Sequence, residues 1–320
     1  MAKERVLGLD LVRVIAIFVV IGIYHNFGYA RSHFYKEAIT LSLVYTSLGA
    51  FTFLSSFLLS SRYNLTDKTE IVSFYKKRVV RIWPLFAISS FALFMIHFNS
   101  LIPTLKGLVG LSPFWAPAPT TMWYVAMLIS LYILTPFVVR GNIKRQLINS
   151  VLVMTVVGTI QIVFKSVVPK TFNYYSVYLI GLLLGRNFYD STMQFLSSKK
   201  SLMLSGLWVF LLMIVYISNN AWLKSFTGVL GIVALLSLCL IISNVFSRKT
   251  WFVTITSTLS YASFCAYLFH REVIWVILHI KTFESGWKIF LEVLLIGVSL
   301  SFIIAYIIQH LYDSFIQRLK

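Results

Sequence analysis

Charge is what this 320-residue chain has least of. Asp, Glu, Lys and Arg together make up 12% of it, and only 10 residues are acidic. Soluble domains run near 25% charged, so with 58% hydrophobic and 16% aromatic content a soluble domain is excluded. Cysteine is scarce too. Cys239 and Cys265 both lie inside apolar runs, which gives neither a metal-ligand spacing nor a disulfide framework, and no metal is expected. The chain lacks long repeats and low-complexity linkers. No small-residue cleavage site follows the basic start at residues 1–5. The first apolar run is long enough to span, so it is expected to stay as a membrane helix rather than be removed as a signal peptide.

What is present is apolar sequence in runs of bilayer length. Ten spans are expected, at residues 9–26, 38–60, 82–98, 121–139, 148–164, 172–184, 202–217, 227–245, 255–269 and 289–310. The expected fold is all-α: one integral-membrane domain over 1–320, multi-pass in the plasma membrane, with the lipid bilayer as its main partner. The 28 Lys and Arg and the net charge of +18 raise the question of nucleic acid. That reading fails, because the basic residues fall in short segments between the spans. Eighteen lie on the side of the amino terminus and nine on the other, with Arg13 inside the first span. The positive-inside rule then puts both termini in the cytoplasm.

Four features carry chemistry. The first is Asp10-Leu11-Val12-Arg13, residues 14–24, then His25-Asn26. An apolar run with an Arg at one end and a His at the other is a functional candidate, because lipid offers neither a partner. The bland alternative is an Arg snorkelling to one interface and a His resting in the other. The second is the basic segment of residues 74–84, FYKKRVVRIWP. Arg78 and Arg81 are three apart and share a helix face. Two guanidinium groups there suit phosphate, which each can hold bidentately; a topology signal touching anionic headgroups is the other reading. The third is the loop 99–120, with four prolines, which can hardly be helical throughout and reads as a lid, a re-entrant segment or an ordinary solvated loop. The fourth is His270-Arg271-Glu272 at the end of the ninth span, on the same leaflet as His25 and His97.

These residues, in this order, resemble the membrane acyltransferase-3 family, bacterial ten-span O-acyltransferases of cell-surface glycans. Leu9-Asp10-Leu11-Val12-Arg13 through Tyr24-His25 is similar to its Asp-x-x-Arg and Arg…His helix. Phe51-Thr52-Phe53-Leu54-Ser55-Ser56-Phe57-Leu58-Leu59 is similar to its Phe-rich Ser-Gly-Phe-Leu-Leu segment, with Ser56 at the family's Gly. Residues 74–84 resemble its basic pair before Pro. Met122-Trp123-Tyr124-Val125 through Tyr132 and Pro136 resembles its Trp-aromatic-Leu…Tyr…Pro span. Tyr267-Leu268-Phe269-His270 is similar to its late Tyr-Leu-x-His.

The resemblance implies acyl transfer from an acyl-CoA, acetyl-CoA being the expected donor, to a hydroxyl of a cell-surface or lipid-linked polysaccharide. A hydroxyl attacking a thioester needs a base, and imidazole titrates in the right range. His25 is the implied base. Arg13 steadies the CoA phosphates or the thioester region, with Asp10 pairing to it, and Arg78 and Arg81 hold phosphate. Ser55 or Ser56 as a nucleophile stays open. So do a polysaccharide exporter or flippase, and a scaffold among polysaccharide-synthesis proteins; a homo-oligomer is a further possible partner.

One departure makes a geometric prediction. The family spaces its Arg and His by ten residues; here eleven intervene. Eleven helical steps return a side chain to within about 20° of its start, whereas twelve leave it about 120° away. A π-turn around residues 21–23 absorbs the extra residue. It would free one backbone carbonyl, near which a hydroxyl or a cavity water is expected.

Overall fold

The computed structural model describes residues 5–115, 117–164, 170–218, 221–280 and 286–318. All regular structure in them is helical. The helices are α1 (Leu7–Tyr29), α2 (Ala38–Arg62), α3 (Lys68–Met95), α4 (Leu101–Leu108), α5 (Trp123–Val139), α6 (Ile143–Phe164), α7 (Lys170–Asn187), α8 (Tyr189–Leu196), α9 (Lys199–Ser218), α10 (Ala221–Phe246), α11 (Thr250–Ile280) and α12 (Gly286–Arg318). Ala116, inside the proline-rich loop, and Lys3, Lys165, Lys281 and Lys320, which enter the charge asymmetry, lie outside the described residues.

Among the described residues eight helices are long and apolar enough to cross a membrane: α1, α2, α3, α6, α9, α10, α11 and α12. The chain is therefore a polytopic membrane protein. The other two expected spans are also helices, α5 and α7. α5 is apolar but has 17 residues. α7 has 18, and its asparagines, tyrosines and Arg186 lower its hydropathy.

Helix contacts divide the chain into two compact units, with the boundary inside α2. One unit holds Thr52–Thr192, the other Glu4–Phe51 and Met193–Lys320. In the first, α2 meets α7 through small residues. Ser56 lies over Gly181, and Ser60 and the Phe57 carbonyl lie over Gly185; a Cβ on either glycine would fall inside contact distance of those atoms. Small residues four apart let membrane helices approach this closely. α7 buries Tyr175 and Tyr178 against α5. Their hydroxyls share hydrogen bonds with Ser130 and with Thr135, the latter at 2.7 Å, so the phenols enter the bundle without orphaned polar atoms. The proline-rich segment folds as α4 and turns. Asn99 closes it, its Oδ1 accepting from the Thr120 amide at 2.8 Å, and Lys106 caps the Trp115 ring at 4.2 Å.

In the second unit α1 packs against α10 and α11, α11 against α12, and α9 against α10. Gly8 permits the first of these contacts, since a Cβ there would lie 2.7 Å from Leu240 and 2.8 Å from the Ser243 hydroxyl. α1 is thus laid along α11, the helix that carries His270.

Candidate active site

The first helix does not run as a regular α-helix. α-Helical turns end at Phe18, Val19–His25 form a π-segment, and α-helical turns resume at Asn26. The wide turn lies where the Arg13–His25 spacing requires it. One residue is absorbed, so the rotation from Arg13 to His25 is that of about eleven regular steps. Both ends of α1 then address α11: Asp10 meets Ser260, and His25 meets His270. The Gly22 carbonyl at the wide turn is met by a side-chain amide: Asn26 Nδ2 donates to it at 3.2 Å. The next side chain along from the histidine supplies the donor itself.

His25 and His270 are both buried. His25 Nδ1 lies 2.7 Å from His270 Nε2, with the ring planes 6° apart. His270 Nδ1 lies 2.8 Å from the Tyr267 carbonyl. This second contact fixes the proton positions of the neutral pair. A carbonyl only accepts, so His270 carries its hydrogen on Nδ1. Its Nε2 is then an acceptor, and His25 Nδ1–H donates to it. His25 Nε2 is left with its lone pair available. A proton arriving there would keep both bonds of the chain intact, as a general base requires. The helical Tyr-Leu-x-His spacing does this locally, because the i−3 carbonyl lies under the histidine ring. Beyond the pair, Arg271 reaches Tyr29, one turn past His25. Its Nη1 donates to the phenol oxygen at 3.4 Å, and its guanidinium lies 5.7 Å from the ring centroid.

At the other end of α1 the buried Asp10 carboxylate gathers three donors. Arg13 Nη1 donates at 2.8 Å, Ser260 Oγ at 2.9 Å, and Arg5 Nε to the second oxygen. The expected Asp10–Arg13 pair is present. Arg13 stands about 18 Å of helix from His25. The two share a direction but not a contact.

In the other unit the basic segment separates into unlike members. Arg78 is half-buried. Its guanidinium lies 5.8 Å from the Tyr63 ring, 5.7 Å from Phe74 and 5.6 Å from Tyr132, and its Nε has no hydrogen-bond partner among the described residues. Arg81 is exposed. Arg186 of α7 comes to the same corner, donating to the Tyr63 carbonyl at 3.3 Å and to Asn64 Oδ1. Nothing in the sequence pairs Arg186 with the segment 122 or more residues before it; only the fold does. Ser56 is spent on packing, its hydroxyl donating to the Phe53 carbonyl at 2.9 Å over Gly181. His97 occupies a left-handed turn, with φ 57°, at the end of α3.

A family model described as an acyltransferase domain, of the acyltransferase-3 type, matches residues 6–310. No curated protein and no solved structure matches the chain.

Proposed function

The chain belongs to the acyltransferase-3 family and is a membrane acyltransferase, and on that premise we propose that it moves an acyl group, acetyl in the simplest case, from cytoplasmic acyl-CoA to a hydroxyl of a cell-surface or lipid-linked polysaccharide at the plasma membrane. The observation that carries the reading is the oriented pair of His25 and His270. His25 Nε2 removes the hydroxyl proton as the oxygen attacks the thioester carbon. The carbon–sulfur bond then breaks, and the same nitrogen returns the proton to the departing CoA thiolate. The chain of bonds stops at the Tyr267 carbonyl, which has no proton to pass on, so the proton stays within the pair.

Arg13, held by Asp10, is assigned to the phosphate end of the donor rather than to the thioester, given its distance from the base. Arg78 and Arg81 are assigned to donor phosphate as well; the Arg78 Nε, which has no hydrogen-bond partner among the described residues, supports that role for the first of them.

The test is purified protein with radiolabelled acetyl-CoA, alongside the ester content of surface polysaccharide in a strain lacking the chain. Release of CoA and loss of polysaccharide ester support the reading. An exporter consumes no acyl-CoA, so transport without CoA release would replace acyl transfer at this site by export.

A further inference from the structure

Asn26 is wholly buried and sits where α1 returns from its π-segment to the α ladder. Its Nδ2 donates to two backbone carbonyls, Gly22 at 3.2 Å and Phe290 at 2.9 Å. Both neighbours are carbonyls and can only accept, so the amide nitrogen and not its oxygen must face them. Gly22 belongs to the wide turn of α1. Phe290 stands three residues before Val293–Gly297, a second π-segment, in α12. The two wide turns pack on each other. A Cβ on Gly22 would lie 3.5 Å from Leu294 Cδ1 of the second. One amide therefore ties the wide turn of α1 to the helical turn that leads into the second.

A helix that passes from i→i+4 to i→i+5 bonding and back skips one carbonyl. Inside a dry bundle a skipped carbonyl needs another donor. Gly22 lies within the wide turn, and its carbonyl receives the Asn26 amide, a donor of the kind such a carbonyl needs. Without it the regular ladder is the better arrangement for α1. A regular ladder turns residue 25 about 100° from its present direction, off α11 and away from His270. Building on the reading of His25 as the base, we infer that Asn26 is the positioning residue that holds the wide turn of α1 and so aims His25 at His270.

The experiment reads the direction of position 25 without chemistry. In the full-length chain in native membranes, with Cys239→Ser and Cys265→Ser, the pair His25→Cys and His270→Cys is bridged by a short, membrane-permeant bis-methanethiosulfonate. Cross-linking is expected. Adding Asn26→Ala lowers the yield at least about tenfold. Deleting Ile21 as well removes the extra residue, restores a regular helix with no skipped carbonyl, and returns the yield although Asn26 is still absent. A merely structural asparagine would not be rescued this way. Unchanged cross-linking with Asn26→Ala overturns the inference. So does failure of the chain with both Asn26→Ala and the deletion to accumulate or to cross-link, since Asn26 would then act by another route than the turn. Acyl transfer by His25→Ala is measured separately. Activity retained there overturns the base assignment, while the cross-link still judges Asn26.

Discussion

His25 Nδ1 and His270 Nε2 lie 2.7 Å apart, and the carbonyl of Tyr267 decides which of the two carries the shared hydrogen. Two neutral imidazoles can bond to each other in either sense. The backbone under His270 removes that freedom and leaves the open lone pair of the pair on His25.

His25→Ala is therefore expected to lose about 10²- to 10⁴-fold in turnover, the usual contribution of a positioned base. His270→Ala should also lose turnover, because the His25 ring is then free to choose its tautomer. Residues that act as one unit are not additive. The double substitution should accordingly be no slower than His25→Ala alone, within about threefold. Turnover numbers for the three chains decide it: a double variant far slower than His25→Ala would give His270 chemistry of its own.

The two arginines of the basic segment should part company. Arg78 is half-buried among three rings, its Nε without a hydrogen-bond partner among the described residues, and Arg81 is exposed. A charge-assisted phosphate contact is worth about 1.5–3 kcal/mol. Arg78→Ala should thus raise the KM for acetyl-CoA roughly 10- to 150-fold, and Arg81→Ala only a few-fold. Arg78→Lys should recover part of the loss, lacking the planar fork and its fit among the rings. Equal effects of the two alanine variants on KM would remove the distinction, and no effect of either would reduce the segment to a topology signal.

The charge asymmetry makes a prediction about orientation. On intact cells an impermeant thiol reagent should label Leu111→Cys in the proline-rich loop and should not label Lys76→Cys until the cells are permeabilised. Cys239 and Cys265 are buried, so background labelling is low. Labelling of position 76 from outside would invert the assignment of sides.

Much of this was legible in the sequence because it depends on spacing. Span positions follow from apolar run length, and the wide turn in α1 follows from eleven residues standing where the family it resembles has ten. The Asp10–Arg13 pair is three residues apart on one helix. What could not be read depends on atoms brought together by the fold. That His25 should meet His270 needs the packing of α1 on α11, and the tautomer needs a backbone carbonyl, which every sequence has everywhere. Asn26 stood beside His25 in plain view, but its partners are two carbonyls with no side-chain signature. Arg186 reaches Tyr63 only because α2 and α7 touch through Ser56, Ser60, Gly181 and Gly185. The sixth expected span, 172–184, is shorter than α7 because Lys170 and Thr171 at one end and Arg186 and Asn187 at the other break the apolar run, while Tyr175 and Tyr178 inside it bury fully once Ser130 and Thr135 receive their hydroxyls.

That α2–α7 contact gives the last prediction, a contrast between two glycines in helices. Alanine normally stabilises a helix relative to glycine by up to about 1 kcal/mol. Gly206 in α9 has nothing among the described residues within 4 Å of where a Cβ would be, so Gly206→Ala should follow the rule and raise the melting temperature of the detergent-solubilised protein slightly. At Gly185 the new methyl would run into the Phe57 carbonyl and the Ser60 hydroxyl. The carbonyl is backbone and cannot swing aside, so α2 and α7 must separate. Overpacking of this kind costs about 1–3 kcal/mol, more than the helix propensity returns, and Gly185→Ala should lower the melting temperature. Truncating the facing side chain should not repair it, because Ser60→Ala leaves the Phe57 carbonyl in place. A Gly185→Ala protein as stable as the parent would mean that α2 and α7 do not approach as closely as the buried Ser56–Gly181 and Ser60–Gly185 contacts require.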